Sequence, residues 1–439
     1  MKKTVAFLAF LASISAFGQV SFVGTQVIDF TPDTSTGLKK VYVVRDASGA
    51  KVTYNSSSSS ITWERFSSLG GGYAEPVKNI VHEGNSYTAD LEPNMGYIIT
   101  DGNSQNCFWV VNYADYPYNV TELLPAENGC DRLMLNLLGS APEMPYYTVN
   151  GRRMIVDRQI KLTYNSLEFS KDSEQYVQVP VQTSLEYAVG SVAVPAPLCN
   201  TTVTIHPDRF ASQWGDGRQA ESQLIEPIAV AATVSAVQEE RDADNEQSMG
   251  DTGESLGGSA PCEVTFKAAV TDAAIFRRWE FSSMPDFEDA QLTFSDLEVA
   301  YVFTEAGTTY VRFVCDNADG SCLFVSETFA ISVGESRLEC PNAFSPGSSE
   351  GVNDEWKVSY RSIIEFHCDI FNRWGKKLAT LTDPSQGWDG IVGGKPVPSG
   401  VYFYVINALG SDGKKYKLSG DINVISSRRQ QSLPSEDIE

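Results

Sequence analysis

The chain is nearly without histidine: only His82, His206 and His367 occur among 439 residues. Imidazole is the commonest general base and metal ligand near neutral pH, so most acid-base and zinc chemistry has little to draw on. There is no His-Glu-x-x-His helix, no phosphate loop and no Cys-x-x-Cys pair. These absences remove the sequence grounds for a zincin, a nucleotide binder and a zinc ribbon. Spacing does not bar a Ser-His-Asp or Cys-His set, because its members can lie far apart, but nothing supports one. The expectation is no catalytic residue, no metal ligand and no cofactor.

Base is scarce too. With 33 Lys plus Arg against 56 Asp plus Glu, the formal charge is -23, a surface that repels nucleic acid and anionic lipid. Nucleic acid is therefore not an expected partner. Long apolar runs are missing after the first residues, so no membrane span is expected.

Those first residues are Met1-Lys2-Lys3, an apolar stretch to Phe17 broken only by serines, and Ala16-Phe17-Gly18. A charged start, a short apolar core and small residues before a cut describe a secretory signal peptide over residues 1–18. The residue after Gly18 is Gln19 and not cysteine, so no lipid anchor is indicated there.

Aromatics make up 11% of the chain, and Val, Ile and Thr recur in short runs separated by Gly, Asn, Asp, Ser and Pro. That is the composition of an all-β protein. Residues 19–118 read as an immunoglobulin-like sandwich: Val41–Val44, Ile61–Phe66, Gly96–Ile99 and Cys107–Val111 are strands, Trp63 is a core residue and Ser56–Ser60 a solvated loop. Residues 119–235 read as a second sandwich, with Leu133–Leu138 and Ile160–Tyr164 as strands. From Ala236 to Ser255 seven acids accompany one base and no aromatic, too little apolar surface to offset ordering entropy. A flexible linker over 236–256 is expected.

Eight cysteines lie at 107, 130, 199, 262, 315, 322, 340 and 368, and an even count behind a signal peptide favours disulfides. Cys315 and Cys322 bracket a hairpin loop, and Cys340 and Cys368 would tie the first strand of the last module to its second. Pairing of Cys107, Cys130, Cys199 and Cys262 stays open. Asp316, Asn317 and Asp319 in the hairpin loop offer calcium-type oxygens, but turn formation explains them better. His367 stands between Glu365 and Asp369 on one strand face, which reads as a solvated face and not a site. Trp63, Trp109 and Trp214 could stack on sugars, with core packing the better reading for the first two.

Residues 257–335 resemble the immunoglobulin-like module of polycystic kidney disease proteins. Trp279 lies on a candidate middle strand, and Ala306–Phe313 looks like the corner where a tyrosine, Tyr310, ties back to its preceding loop. Trp279 and Tyr310 are 31 positions apart, and Trp63 and Tyr97 are 34 apart, which suggests a weak internal repeat.

The last module, 338–425, carries the strongest pattern. Ile364, Phe366, Cys368 and Ile370 alternate with Glu365, His367 and Asp369, and Val401–Ala408 forms a hairpin with Tyr416, Leu418, Ile422 and Val424. In order along it stand Pro341, Asn342, Phe344 and Pro346, then Asn353 and Asp354, then Asn372-Arg373-Trp374-Gly375, then Trp388-Asp389-Gly390, then Gly400, Tyr402 and Tyr404. These resemble the gliding motility-associated C-terminal domain, the type B sorting domain of Bacteroidetes type IX secretion cargo. One departure is the loop Gly347–Gly351, which has fewer amide and acid oxygens than the family usually shows and puts any cation there in doubt; another is the polar tail 426–439. The resemblance implies export across the outer membrane, the type IX machinery as partner, and delivery to the surface or medium. Trp374, Trp388, Tyr402 and Tyr404 are candidates for the surface a receptor reads.

The expected architecture is thus tandem immunoglobulin-like sandwiches followed by a small β-sandwich sorting domain. The expected function is a non-enzymatic adhesion module or stalk with a surface glycan or protein as ligand. The alternative is a secreted glycan-binding protein or hydrolase with its site in the two N-terminal units.

Overall fold

The computed structural model describes residues 20–241, 243–247, 256–348 and 351–425. The expected signal peptide and polar tail lie outside them. The fold is all-β and forms two compact units, one of residues 1–167 and 178–227, the other of 168–177 and 228–439.

In the first unit, a four-stranded sheet built from Val20–Val23, Lys51–Asn55, Ser86–Asp90 and Val81–Glu83 packs on a six-stranded one. The larger sheet runs Val27–Phe30, Lys40–Val44, Ser104–Asn112, Met95–Asp101, Thr62–Phe66 and Glu75–Pro76. Its second and third strands, Lys40–Val44 and Ser104–Asn112, run parallel. The expectation for residues 19–118 is a self-contained immunoglobulin-like sandwich. Instead, Val44, Phe108 and Val110 fill the core toward the four-stranded sheet, while Val41, Val43, Trp109 and Val111 fill a second core with Leu133, Leu135, Tyr146 and Ile160. A sheet covered on both faces needs continuous apolar strands, which is why Cys107–Val111 does not alternate. The 19–118 and 119–235 modules therefore share a core.

Trp63 and Trp109 are core residues, and Trp214 packs edge-on against Tyr113 at 5.1 Å, so none of the three is an open sugar platform. A tyrosine corner, expected at Tyr310, is seen instead at Tyr97, whose hydroxyl accepts from the Glu92 amide at 3.0 Å. Tyr310 is half-buried between Ser282 and Ala330 on the neighbouring strands. The serine run is also corrected: Ser56 is buried, and the hydroxyls of Ser56 and Ser58 both donate to Asp101.

The second module pairs the sheet of Glu122–Asn128, Arg132–Leu138 and Ser191–Pro195 with one containing Ile160–Ser170 and Gln175–Leu185. Its hard-to-read stretch contains the helix Arg209–Trp214, capped by Asp208, whose Oδ1 accepts from the Ala211 amide at 2.8 Å. Asp208 also pairs at 2.5 Å with Arg158, both fully buried, and Tyr113 donates to it at 3.1 Å. Arg158 further donates to the Pro142 carbonyl at 2.6 Å. Such a pair is tolerable in a core only because its remaining hydrogen-bonding capacity is used.

The second unit opens its immunoglobulin-like sandwich earlier than expected. Ala232–Gln238 is a strand paired with Cys262–Val270, its alternate residues Ala232, Val234 and Ala236 facing the core around Trp279 and Phe266. The expected linker thus begins inside a strand. Further along it, Lys357 pairs with Asp244 at 2.9 Å, and the Gln247 amide donates to the Tyr360 carbonyl at 2.7 Å, so these residues are held on the C-terminal module. Residues 248–255 lie outside the described set.

Cys315 and Cys322 are not joined to each other. Cys315 is a buried free thiol, while Cys130 and Cys322 are the disulfide-bonded cysteines among the described residues. The register explains the correction. Cys315 faces Phe324 and Asp316 faces Leu323, so Cys322 sits two rungs away on a diagonal. That separation, about 7–8 Å, exceeds the reach of a disulfide. The loop between them is a side-chain-built turn, with Asp319 accepting from the Ser321 amide at 3.0 Å and Asn317 from the Cys322 amide at 3.2 Å.

Candidate functional site

The C-terminal module is a five-stranded sheet in the order Ala343–Phe344, Lys415–Val424, Gly400–Gly410, Ile363–Phe371, Lys377–Leu381. A bulge between Ile363 and Glu365 corrects the expected alternation: Ile363 enters this module's core, and Ile364 packs on the core of the preceding sandwich.

Most of the motif residues build the frame. Trp356, fully buried, exchanges two backbone bonds of 2.8 and 3.0 Å with Trp388 and donates its indole N–H to the Pro341 carbonyl at 2.7 Å. Phe344 lies 5.5 Å from the Trp388 ring, and Tyr402 lies 5.4 Å from it. Asn342 accepts through its carbonyl from the Asn423 amide at 2.9 Å, and the Asn353 carbonyl accepts from Ser345 at 2.8 Å. Asp354 closes the departing loop by itself, accepting from the amides of Gly347 at 2.9 Å and Gly351 at 2.7 Å. Pro346 and Phe344 lie against Gly390, where an added Cβ would meet the Phe344 ring at 3.2 Å. Asp389 caps its own turn through the Ile391 amide at 2.8 Å. Tyr402 donates to the Pro398 carbonyl at 2.9 Å, fixing the chain on either side of Gly400. Tyr404 is half-buried, its ring 5.1 Å from Trp356.

Of the four aromatics proposed for recognition, Trp388 and Tyr402 are therefore buried and Tyr404 faces inward. Trp374 alone is open, 75% exposed. It is held out by the turn it belongs to: Asn372 Oδ1 accepts from the Trp374 and Lys376 amides, each at 3.0 Å, and Gly375 takes a φ of +77° that a side chain resists. Arg373 stacks on the indole, its guanidinium carbon 4.3 Å from the ring centre. Beside this turn lies a groove of about 480 Å³, walled by Leu378, Val392, Pro396, Val397 and Pro398 and edged by Lys395. Sequence reading missed Trp356 and Lys395; the first could have been found as the aromatic two places after Asp354.

His367 meets Asp369 at 3.3 Å on the outer face of the sheet. The Asp369 carboxyl is held below its usual range by the Thr380 hydroxyl, helped by Lys377 and His367. No group of three or more His, Cys, Asp or Glu able to hold a metal occurs among the described residues. Cys340 and Cys368 share this core, but both are free thiols, which corrects the expected bridge. Cys340 is engaged instead by the Tyr404 hydroxyl, and burial pushes the Cys368 thiol up to about 12.

Residues 338–424 match the CHU_C type IX secretion signal domain, and residues 122–222 match a fibronectin type III domain. No curated protein matches the chain. Among solved structures, the tetra-tandem repeat in the extending region of a large adhesion protein is 10% identical, covering 86% of this chain and 96% of its own, with a TM-score of 0.20. The chicken CNTN1 FN1–FN3 domains are 14% identical over 70% of this chain and 99% of theirs, at 0.23. The Sidekick-1 immunoglobulin domains 1–5 are 9% identical over 86% and 77%, at 0.25.

Proposed function

We propose that this chain, which carries a CHU_C type IX secretion signal domain behind a fibronectin type III domain and immunoglobulin-like modules, is exported cargo of the type IX secretion machinery. It acts at the cell surface or outside the cell as a non-enzymatic adhesion module or stalk. The observation that carries this reading is the match over residues 338–424, which coincides with a module having its own sheet and core. A folded terminal module with one exposed aromatic turn is what a receptor can read. The cargo supports the rest: its modules are sandwiches, and the tryptophans best suited to stack on a sugar are spent in packing.

Truncation before Leu338, expressed in a type IX-competent host, tests it. The shortened chain is expected to stay in the periplasm while the full chain reaches the surface or medium. Normal export of the truncated chain would falsify the reading.

A further inference from the structure

The groove beside Trp374 differs in charge from the rest of the molecule. Its lining contains Arg373 and Lys395 and no carboxylate, in a chain whose formal charge is -23. Neighbouring Lys377 is matched by Asp369 at 3.3 Å, whereas neither Arg373 nor Lys395 has an ion-pair partner among the described residues. The walls are apolar and stiff: two prolines, a backbone bond of 2.8 Å from Val397 to Gly390, and the Asn372-capped turn. Leu378 belongs to Lys377–Leu381, the outermost strand of its sheet, whose free side carries unpaired backbone groups. Val401, which also lines the groove, is 47% exposed, and Phe403, two places along the same strand, is 43% exposed.

We propose that this groove is the docking surface for an extended, carboxylate-bearing protein segment of the export machinery, seated along the Lys377–Leu381 edge. Backbone pairing with the edge supplies alignment, Trp374 and the prolines take alternate apolar side chains, and Arg373 and Lys395 take the carboxylates. This assignment rests on the export reading above and names the surface it uses.

The test uses the full chain and its Arg373→Glu/Lys395→Glu variant. Binding of a fluorescein-labelled Glu-Ile-Glu-Ile-Glu-Ile peptide is measured by anisotropy against its Lys-Ile counterpart, with polygalacturonate as an anionic competitor. The wild type is expected to bind the acidic peptide, more weakly as salt rises, and the double reversal to lose about tenfold or more in affinity while gaining the lysine peptide. That exchange of preference also shows the variant is folded. No binding, binding indifferent to the reversal, or displacement by polygalacturonate as effective as by unlabelled peptide overturns the proposal. In the secreting host, the double reversal is expected to be retained as the truncation is. If the truncation is retained and the reversal exported normally, the groove assignment fails alone; if the truncation is exported, the export reading fails.

Discussion

Asp101 shows how one carboxylate can organise a stretch that sequence leaves blank. Five consecutive serines have no pattern to read, yet Ser56 donates to Asp101 at 2.5 Å, Ser58 donates to it as well, and the Tyr87 hydroxyl donates to the Ser58 carbonyl at 2.7 Å. The Ser56 and Ser58 hydroxyls hold the Asp101 carboxyl below its ordinary value of 3.8. A depressed carboxyl pKa means the charged form is favoured in the folded state. Its contribution is present above the unfolded value and is lost as pH falls through the folded one. Asp101→Asn should therefore lower the urea midpoint at pH 7, and its deficit relative to wild type should shrink as pH drops below about 4. A deficit unchanged at low pH would mean the charge is immaterial. The motif aromatics carry the same lesson. Trp374 and Trp388 look alike in sequence, but one is followed by a glycine at φ +77° in an exposed turn, whereas the other exchanges backbone bonds with Trp356. Their positions were legible, but which of them faces solvent was not.

At the scale of elements, the six-stranded sheet depends on one missing side chain. Gly96 stands in Met95–Asp101 opposite Phe66, and a Cβ there would lie 2.1 Å from the Phe66 ring. The ring covers the glycine backbone and packs 5.6 Å from Trp109 in the core shared by the two N-terminal modules. Gly96→Ala should cost about 1–3 kcal/mol by overpacking, measured by urea unfolding. Adding Phe66→Leu should recover part of that loss, because the two changes touch the same space and cannot be additive. Simple addition of the two costs would show that the alanine acts elsewhere. Tyr97 was visible as part of a repeat, but the packing role of Gly96 before it was not. The strands themselves could be read from β-branched and aromatic runs, and the C-terminal hairpin from clean alternation. What periodicity could not give was the second covering layer on Lys40–Val44 and Ser104–Asn112, because a short apolar run reads the same whether the second face meets solvent-excluded core or a turn. Ala232–Gln238 was lost for a similar reason. Its small residues Ala232 and Ala236 look like a boundary, yet they fit against Phe266 and its neighbours.

On the scale of the molecule, the second unit joins cargo and sorting module more closely than a linker would. The Ala260 amide donates to the Ser362 hydroxyl at 3.2 Å, and the Ser362 amide donates to the Ser259 hydroxyl at 2.6 Å. The Ala306 amide donates to the Ser411 carbonyl at 3.0 Å, and the Ser411 hydroxyl to the Gly334 carbonyl at 2.8 Å. Ser362 is fully buried, and Ile364 beyond it reaches the core of the preceding sandwich. The two modules should therefore open together. Ser362→Ala leaves the Ala260 amide without an acceptor in a dry contact, a loss of about 1–3 kcal/mol. Hydrogen exchange should then quicken both in Cys262–Val270 of the sandwich and in Ile363–Phe371 of the sorting sheet, by similar factors, because one cooperative opening exposes both. Faster exchange confined to Ile363–Phe371 would mean the sorting module opens independently. Coupling of this kind bears on export: a signal welded to its neighbour presents the Trp374 groove in one orientation relative to that sandwich, and loosening the weld by Ser362→Ala should lower export while leaving the isolated peptide affinity of the groove unchanged.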